Sequence, residues 1–109
     1  MKGARLRPQA SRDREDAVRY YRKVAGPVVA ENLVEMCESA LDLIERQPGI
    51  GSPVFGNMLG IPELRSWKVA HFPVLWFCFE GDDHGDVIRL LGERQDIATS
   101  LANSPDRPV

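Results

Sequence analysis

Apolar positions along the chain recur first with a strand-like period, then a helical one, then a strand-like one again. Residues 4–7 (Ala-Arg-Leu-Arg) alternate in polarity and end at Pro8, which suits a short edge strand. Ala17, Tyr21, Val24 and Ala25 then share one helical face, with Ser11 placed as N-cap. Asp13, Glu15 and Asp16 stand where acids favour the positive end of the helix dipole. Gly26-Pro27 closes this helix and opens the next. In the second helix Val29, Leu33, Met36, Cys37, Ala40, Leu41 and Ile44 form an apolar stripe. Glu31, Glu35, Glu38, Asp42 and Glu45 form an acidic stripe on another face. The pair of stripes predicts a surface helix laid on a core, its acidic side in water.

Residues 47–62 carry no charge, three prolines and four glycines, and are expected to be a loop that Val54, Phe55 and Met58 tuck against the domain. Gly49 and Gly51 make no phosphate-binding fingerprint, since they follow a helix and lack the third glycine. Strands are predicted over 64–70, 74–79 and 87–91. The middle one is apolar on both sides and so is expected to be buried on both. Residues 81–86 read as a hairpin turn. Their three aspartates and His84 raise a metal reading, but calcium loops need longer spacing and a closing bidentate acid, so no metal is expected. A last short helix over 97–101 precedes residues 103–109, expected to be a frayed tail. The fold class is thus α+β: an N-terminal strand, a two-helix hairpin packed on a small antiparallel sheet, and a short C-terminal helix, all in one domain.

The 109 residues suit a single domain, and 43% hydrophobic with 28% charged residues is an ordinary globular balance. The longest nearly apolar run, 69–79, has 11 residues and is interrupted by His71 and Pro73. A membrane-spanning helix needs about 20. No apolar stretch follows the charged N-terminus, so no secretory signal is expected. Cys37 and Cys78, each in an apolar segment with no neighbouring ligands, read as buried reduced thiols of a cytoplasmic protein. The formal net charge of −2 hides an asymmetry. Residues 1–27 hold eight basic against three acidic residues, a net of +5, while 28–109 hold six against thirteen, a net of −7. Phosphate contacts want cations, so a general or sequence-specific nucleic-acid surface is not expected.

Catalytic chemistry is equally sparse. His71 and His84 are the only histidines, and neither belongs to a Gly-x-Ser-x-Gly, His-Glu-x-x-His or P-loop motif. The carboxylates lie on a helix surface or in a turn, without the apolar surroundings that would raise a pKa for acid catalysis. The residues alone describe a small binding module with no catalytic residue, cofactor or metal.

A family resemblance sharpens this. Leu6-x-Pro8-x-Ala10, Leu41-x-x-Ile44 followed by Pro48-x-Ile50-Gly51, Leu64-Arg65-Ser66, Phe72-Pro73-Val74-Leu75 leading into Phe77, and Val87-Ile88-x-Leu90-Leu91 before Arg94-x-Asp96 occur in this order. Together they resemble the RelE/ParE superfamily of type II toxin–antitoxin toxins over nearly the whole chain. The resemblance implies a toxin held by a cognate antitoxin in a hetero-oligomer. Two target classes follow from it. RelE-like members cleave messenger RNA on the ribosome with a cluster of cations, required because the transition state gains negative charge. ParE-like members are DNA gyrase inhibitors that lack that cluster.

Here the central strand enters through Phe72-Pro73, where RNA-cleaving members place an arginine, and 97–109 hold no Tyr, His or Lys. The resemblance therefore leans to the ParE-like class and a non-enzymatic inhibitor of gyrase. A RelE-like ribosome-dependent endoribonuclease and a non-toxic, degenerate binding module are the alternatives. The target-binding candidates are Arg65, Lys68, Arg94 and Asp96, the last also the natural N-cap of the final helix. Trp67 and Trp76 are the candidate exposed anchors for the antitoxin.

Overall fold

The computed structural model describes residues 3–80 and 84–102. Strand β1 (Gly3–Leu6) runs directly into helix α1 (Pro8–Ala25), and Gly26 turns the chain into α2 (Pro27–Arg46). Each helix takes a proline in its first turn, where the missing N–H costs nothing and the fixed φ is already helical. Helix α1 therefore starts at Pro8, with Arg7 in the cap position, and not at Ser11. Asp13, Glu15 and Asp16 consequently lie beyond its first turn, where the dipole has little hold on them.

The apolar stripe of α2 packs as its period predicts: Leu33, Cys37, Ala40 and Ile44 are buried and Glu31, Glu35, Glu38 and Asp42 face outward. On α1 the buried face is displaced. Ala10, Ala17, Val18 and Tyr21 meet the core, whereas Val24 and Ala25 at the end of the helix are exposed.

Residues 47–62, expected to be a loop, contain a 3₁₀ turn (Pro48–Ile50) and a short helix, α3 (Val54–Leu59). Glycine made the helix possible rather than preventing it. Gly60 ends α3 in the left-handed conformation (φ 72°), and Gly56 lies so close to the Ile61 carbonyl that a Cβ would sit 2.5 Å from it. Of the three side chains expected to tuck in, only Phe55 does, edge-on to Phe77 at 5.5 Å. Val54 and Met58 face water, Met58 at 72% exposure, and Leu59 and Ile61 pack in their place.

Strands β2 (Leu64–Lys68), β3 (Val74–Glu80) and β4 (His84–Gly92) form an antiparallel meander, and the sheet order is β1-β4-β3-β2. Residues 81–83, with aspartates 82 and 83 of the expected hairpin turn, and residues 103–109, expected to be a tail, lie outside the described residues, and residues 84–86 of that expected turn belong to β4. The sheet is mixed rather than wholly antiparallel, since β1 runs parallel to β4 with Leu6 opposite Val87. A parallel pair needs a long crossover, which the helices and the meander supply. Helix α4 (Ile97–Ala102) closes the fold.

Strand β3 is buried on both sides, as its unbroken apolar run implies. Val74, Trp76 and Cys78 join the cluster under α1 and α2, and Leu75 and Phe77 join Leu64, Ile88, Ile97 and Leu101 on the other side. Both cysteines are buried and neither forms a disulfide. Burial pushes the Cys37 thiol up to about 11, so it stays protonated and inert at neutral pH.

Candidate functional site

Two tight turns meet at one end of the sheet. The β2–β3 turn is closed by Val69 N–H to the Val74 carbonyl (3.0 Å), and it holds His71 at φ 70°, a left-handed conformation unusual for a residue with a side chain. The β4–α4 turn is closed by Gln95 N–H to the Gly92 carbonyl (3.1 Å) and by Gly92 N–H to Gln95 Oε1 (2.6 Å). Glu93 N–H donates to the Pro73 carbonyl at 2.9 Å and so fastens one turn to the other.

Lys68 crosses this junction, donating to the Phe72 carbonyl (3.0 Å) and pairing with Glu93 Oε1 (2.8 Å). Arg94 is next along the chain, exposed, and without an ion pair or hydrogen bond among the described residues. It stands on the rim of a groove of about 930 Å³ between α1 and the ends of β3 and β4. Ala17, Tyr20, Tyr21, Pro73 and Leu90 form much of its wall. Tyr21 stacks edge-on against Phe72 at 5.3 Å, and Tyr20 against Tyr21 at 5.5 Å, leaving Tyr20 60% exposed.

The predicted site residues scatter. Lys68 and Arg94 come together at the junction. Arg65 does not: it sits three positions back along β2, about 10 Å away, with NH1 donating to the Pro62 carbonyl at 2.9 Å. Asp96 is the N-cap of α4, accepting from Thr99 N–H (3.2 Å) and from the Thr99 hydroxyl (2.8 Å). The hydroxyl chiefly, and then the amide, hold its carboxyl below the ordinary aspartate range.

The tryptophans divide as well. Trp76 is not an exposed anchor: its ring is wholly buried under the helical hairpin and its Nε1 donates to the Cys37 carbonyl at 3.3 Å. A residue on a strand covered on both sides has no route to the surface, and this removes it from the candidate interface. Trp67 is half-buried, with its indole edge against Gly51, where a Cβ would come within 2.3 Å of Nε1.

In the sequence Asp13 reads as a helix-dipole acid and Arg89 has no role, yet the structure pairs them. The Arg89 guanidinium grips the Asp13 carboxylate with two bonds, of 2.7 and 3.1 Å, and the pair forms part of the groove wall. The signal was a lone arginine inside the apolar run 87–91. Such a charge is buried only when a partner waits for it.

Lys68 is engaged by Glu93, Arg89 by Asp13, and Arg65 by backbone carbonyls, so these cations are not assembled around one point. Among the described residues no cluster of three or more His, Cys, Asp or Glu could hold a metal ion, and no helix is long and apolar enough to cross a membrane.

Comparison with known proteins agrees with this architecture. Nine chains of solved structures are similar, among them one described as the chromosomal ParDE TA system from P. aeruginosa. It superposes with a TM-score of 0.71 at 16% identity, over 84% of this chain and 96% of that one. No curated protein matches the sequence significantly. The profile described as the ParE toxin of type II toxin–antitoxin system, parDE, matches residues 4–97. That match takes in β1 through the start of α4, and with it Lys68, Arg94 and Asp96, so the chain belongs to the ParE toxin family of type II toxin–antitoxin systems.

Proposed function

We propose that this toxin arrests growth in the cytoplasm by binding DNA gyrase, not by cutting RNA, and that a cognate antitoxin neutralises it. The observation that carries this reading is the state of the cations. Cleavage of a phosphodiester wants several of them converging on one phosphate. At the sheet end Lys68 is held by Glu93, and Arg94 is the cation left to meet a partner. An unpaired arginine beside exposed tyrosine is a typical interface anchor. Arg94 is therefore the leading target contact, with Lys68 beside it bound to Glu93, and with Asp96 shaping the turn that presents Arg94. Arg65, bound to its own backbone, is a spectator in this reading.

The antitoxin would cover apolar surface. Trp67 lies against Gly51, next to Ile50, which is 67% exposed, and the same segment exposes Val54 and Met58. An amphipathic segment laid there would remove this surface from water.

One induction experiment tests the target. Expression without antitoxin should give filamentous cells, a DNA-damage response and loss of gyrase supercoiling while protein synthesis continues. Arrest of translation within minutes, with messages cut inside codons, would establish the ribonuclease instead. Normal growth with stable, folded protein would mark a non-toxic relative. Arg94→Ala should abolish supercoiling inhibition and leave antitoxin binding and stability unchanged.

A further inference from the structure

Arg89 links the two layers that cover the sheet. Its Nε and NH2 donate to Asp13 Oδ2 and Oδ1 on α1, at 2.7 and 3.1 Å, while NH1 donates to the Ser100 carbonyl on α4 at 2.9 Å. Helix α1 packs on one side of the sheet and α4 on the other, so a single guanidinium at the sheet's edge holds both. Asp13 is itself locked. Oδ2 accepts Leu90 N–H at 3.0 Å and Oδ1 accepts the Gln9 amide at 3.1 Å. Strand β1 pairs with β4 only as far as Val87, and the Asp13 carboxylate takes the β4 amide further along that β1 does not reach. Side-chain exposures of 14% and 9% leave this pair little screened by water.

Helix α4 needs such a hold. Its six residues are far too few for a stable helix in water, and among its attachments are Ile97 and Leu101 in the core, the Asp96 cap and the Arg89 bond. That bond meets a carbonyl in the last turn of α4, at the negative end of the helix dipole. The turn before α4 presents Arg94.

We infer that Arg89 is a positioning residue of the toxin: by gripping Asp13 and the Ser100 carbonyl together it holds α4, and so holds Arg94 at the groove rim in the geometry that meets the target. This rests on the reading in which Arg94 touches the target. Only a planar fork serves both acceptors at once. Lysine in its place keeps the charge and can pair with Asp13, but it gives up the second layer.

Purified Arg89→Lys, Asp13→Asn and Arg94→Ala chains are to be compared with the unmodified chain in amide hydrogen exchange and in inhibition of gyrase supercoiling. Asp13→Asn keeps the shape of the side chain and an acceptor for Leu90 N–H, so it remains informative should Arg89→Lys fold poorly. In Arg89→Lys, amides of residues 100–102 should exchange about ten-fold faster, as for one lost charge-assisted hydrogen bond, with those of α2 unchanged. The half-inhibitory concentration should rise about ten-fold with them, and Asp13→Asn should shift both in the same direction.

Unchanged inhibition by an Arg89→Lys chain with a loosened α4, while Arg94→Ala abolishes inhibition, overturns the positioning role and spares the target reading. Unchanged exchange at 100–102 in both Arg89→Lys and Asp13→Asn also overturns it, as does equal acceleration throughout the chain, which would make the pair a general fold element. Full inhibition by Arg94→Ala removes the target reading itself and the positioning role with it.

Discussion

The two sides of the sheet are covered in different ways. On one, helices of 18 and 20 residues lie across the strands, and α2 alone buries Leu33, Cys37, Ala40 and Ile44. On the other, the cover is α3 and α4, six residues each, resting through Phe55, Leu59, Ile97 and Leu101. A long amphipathic helix is held at many points along a periodic stripe, so it detaches only when the domain unfolds. A six-residue helix is held by two side chains and a few local bonds: a cap at Asp96, a left-handed glycine after α3, a guanidinium under α4. The hairpin side supplies cooperative stability. The thin side can yield locally, and its helix α4 follows directly on the turn that carries Arg94.

The contrast makes graded predictions. Trp76→Ala, in the cluster under the hairpin, should cost about 3–5 kcal/mol of global stability, read as a matching drop in denaturant midpoint and in the protection of every strand. Leu101→Ala on the thin side should cost about 2–3 kcal/mol, with the loss of protection concentrated in α4. A loss spread equally over α2 would show that the two layers unfold as one and break the comparison. Gly56→Ala forces backbone apart at Ile61 and Leu64, where a Cβ would lie 2.5 and 2.7 Å from carbonyl oxygens, and should cost about 1–3 kcal/mol, seen as lowered Tm with α3 exchanging first.

The smallest effect is pH-dependent. The folded Asp96 carboxyl has a lowered pKa, so its cap contributes fully above the ordinary aspartate value and is lost as pH falls through the lowered one. Acid should therefore loosen α4 before it loosens α2, and Asp96→Asn should flatten that dependence in exchange measurements.

How much of this was legible depended on whether a residue answered to its neighbours in sequence or to distant ones. The α2 stripe, the Gly26-Pro27 break, the buried β3 and the short helix ending in Leu101 were all readable, because spacing and punctuation report local geometry. Helix α3 was not. Its uncharged, glycine-rich segment resembles a loop until the Ile61 carbonyl and the Phe77 ring are seen to demand Gly56 and Phe55 at those places. At the candidate site, Asp96 as a cap was legible from its place ahead of the helix. The separation of Arg65 from Arg94 was not, since it follows from strand register. Trp76 illustrates the same limit: an aromatic residue in an apolar strand is equally a core residue or an anchor until both faces of that strand are known to be covered.

The amino-acid order alone determined the α+β class, the acidic outer face of α2 and the likeness to a toxin family, since each depends on periodicity or on residues in a set order. Tertiary structure decided that β1 joins the sheet in parallel, that Lys68 meets Glu93, and that Asp13 reaches across 76 positions to Arg89. Those contacts depend on where separate elements come to rest against one another. A chain's local pattern carries no record of that distance until packing has set it.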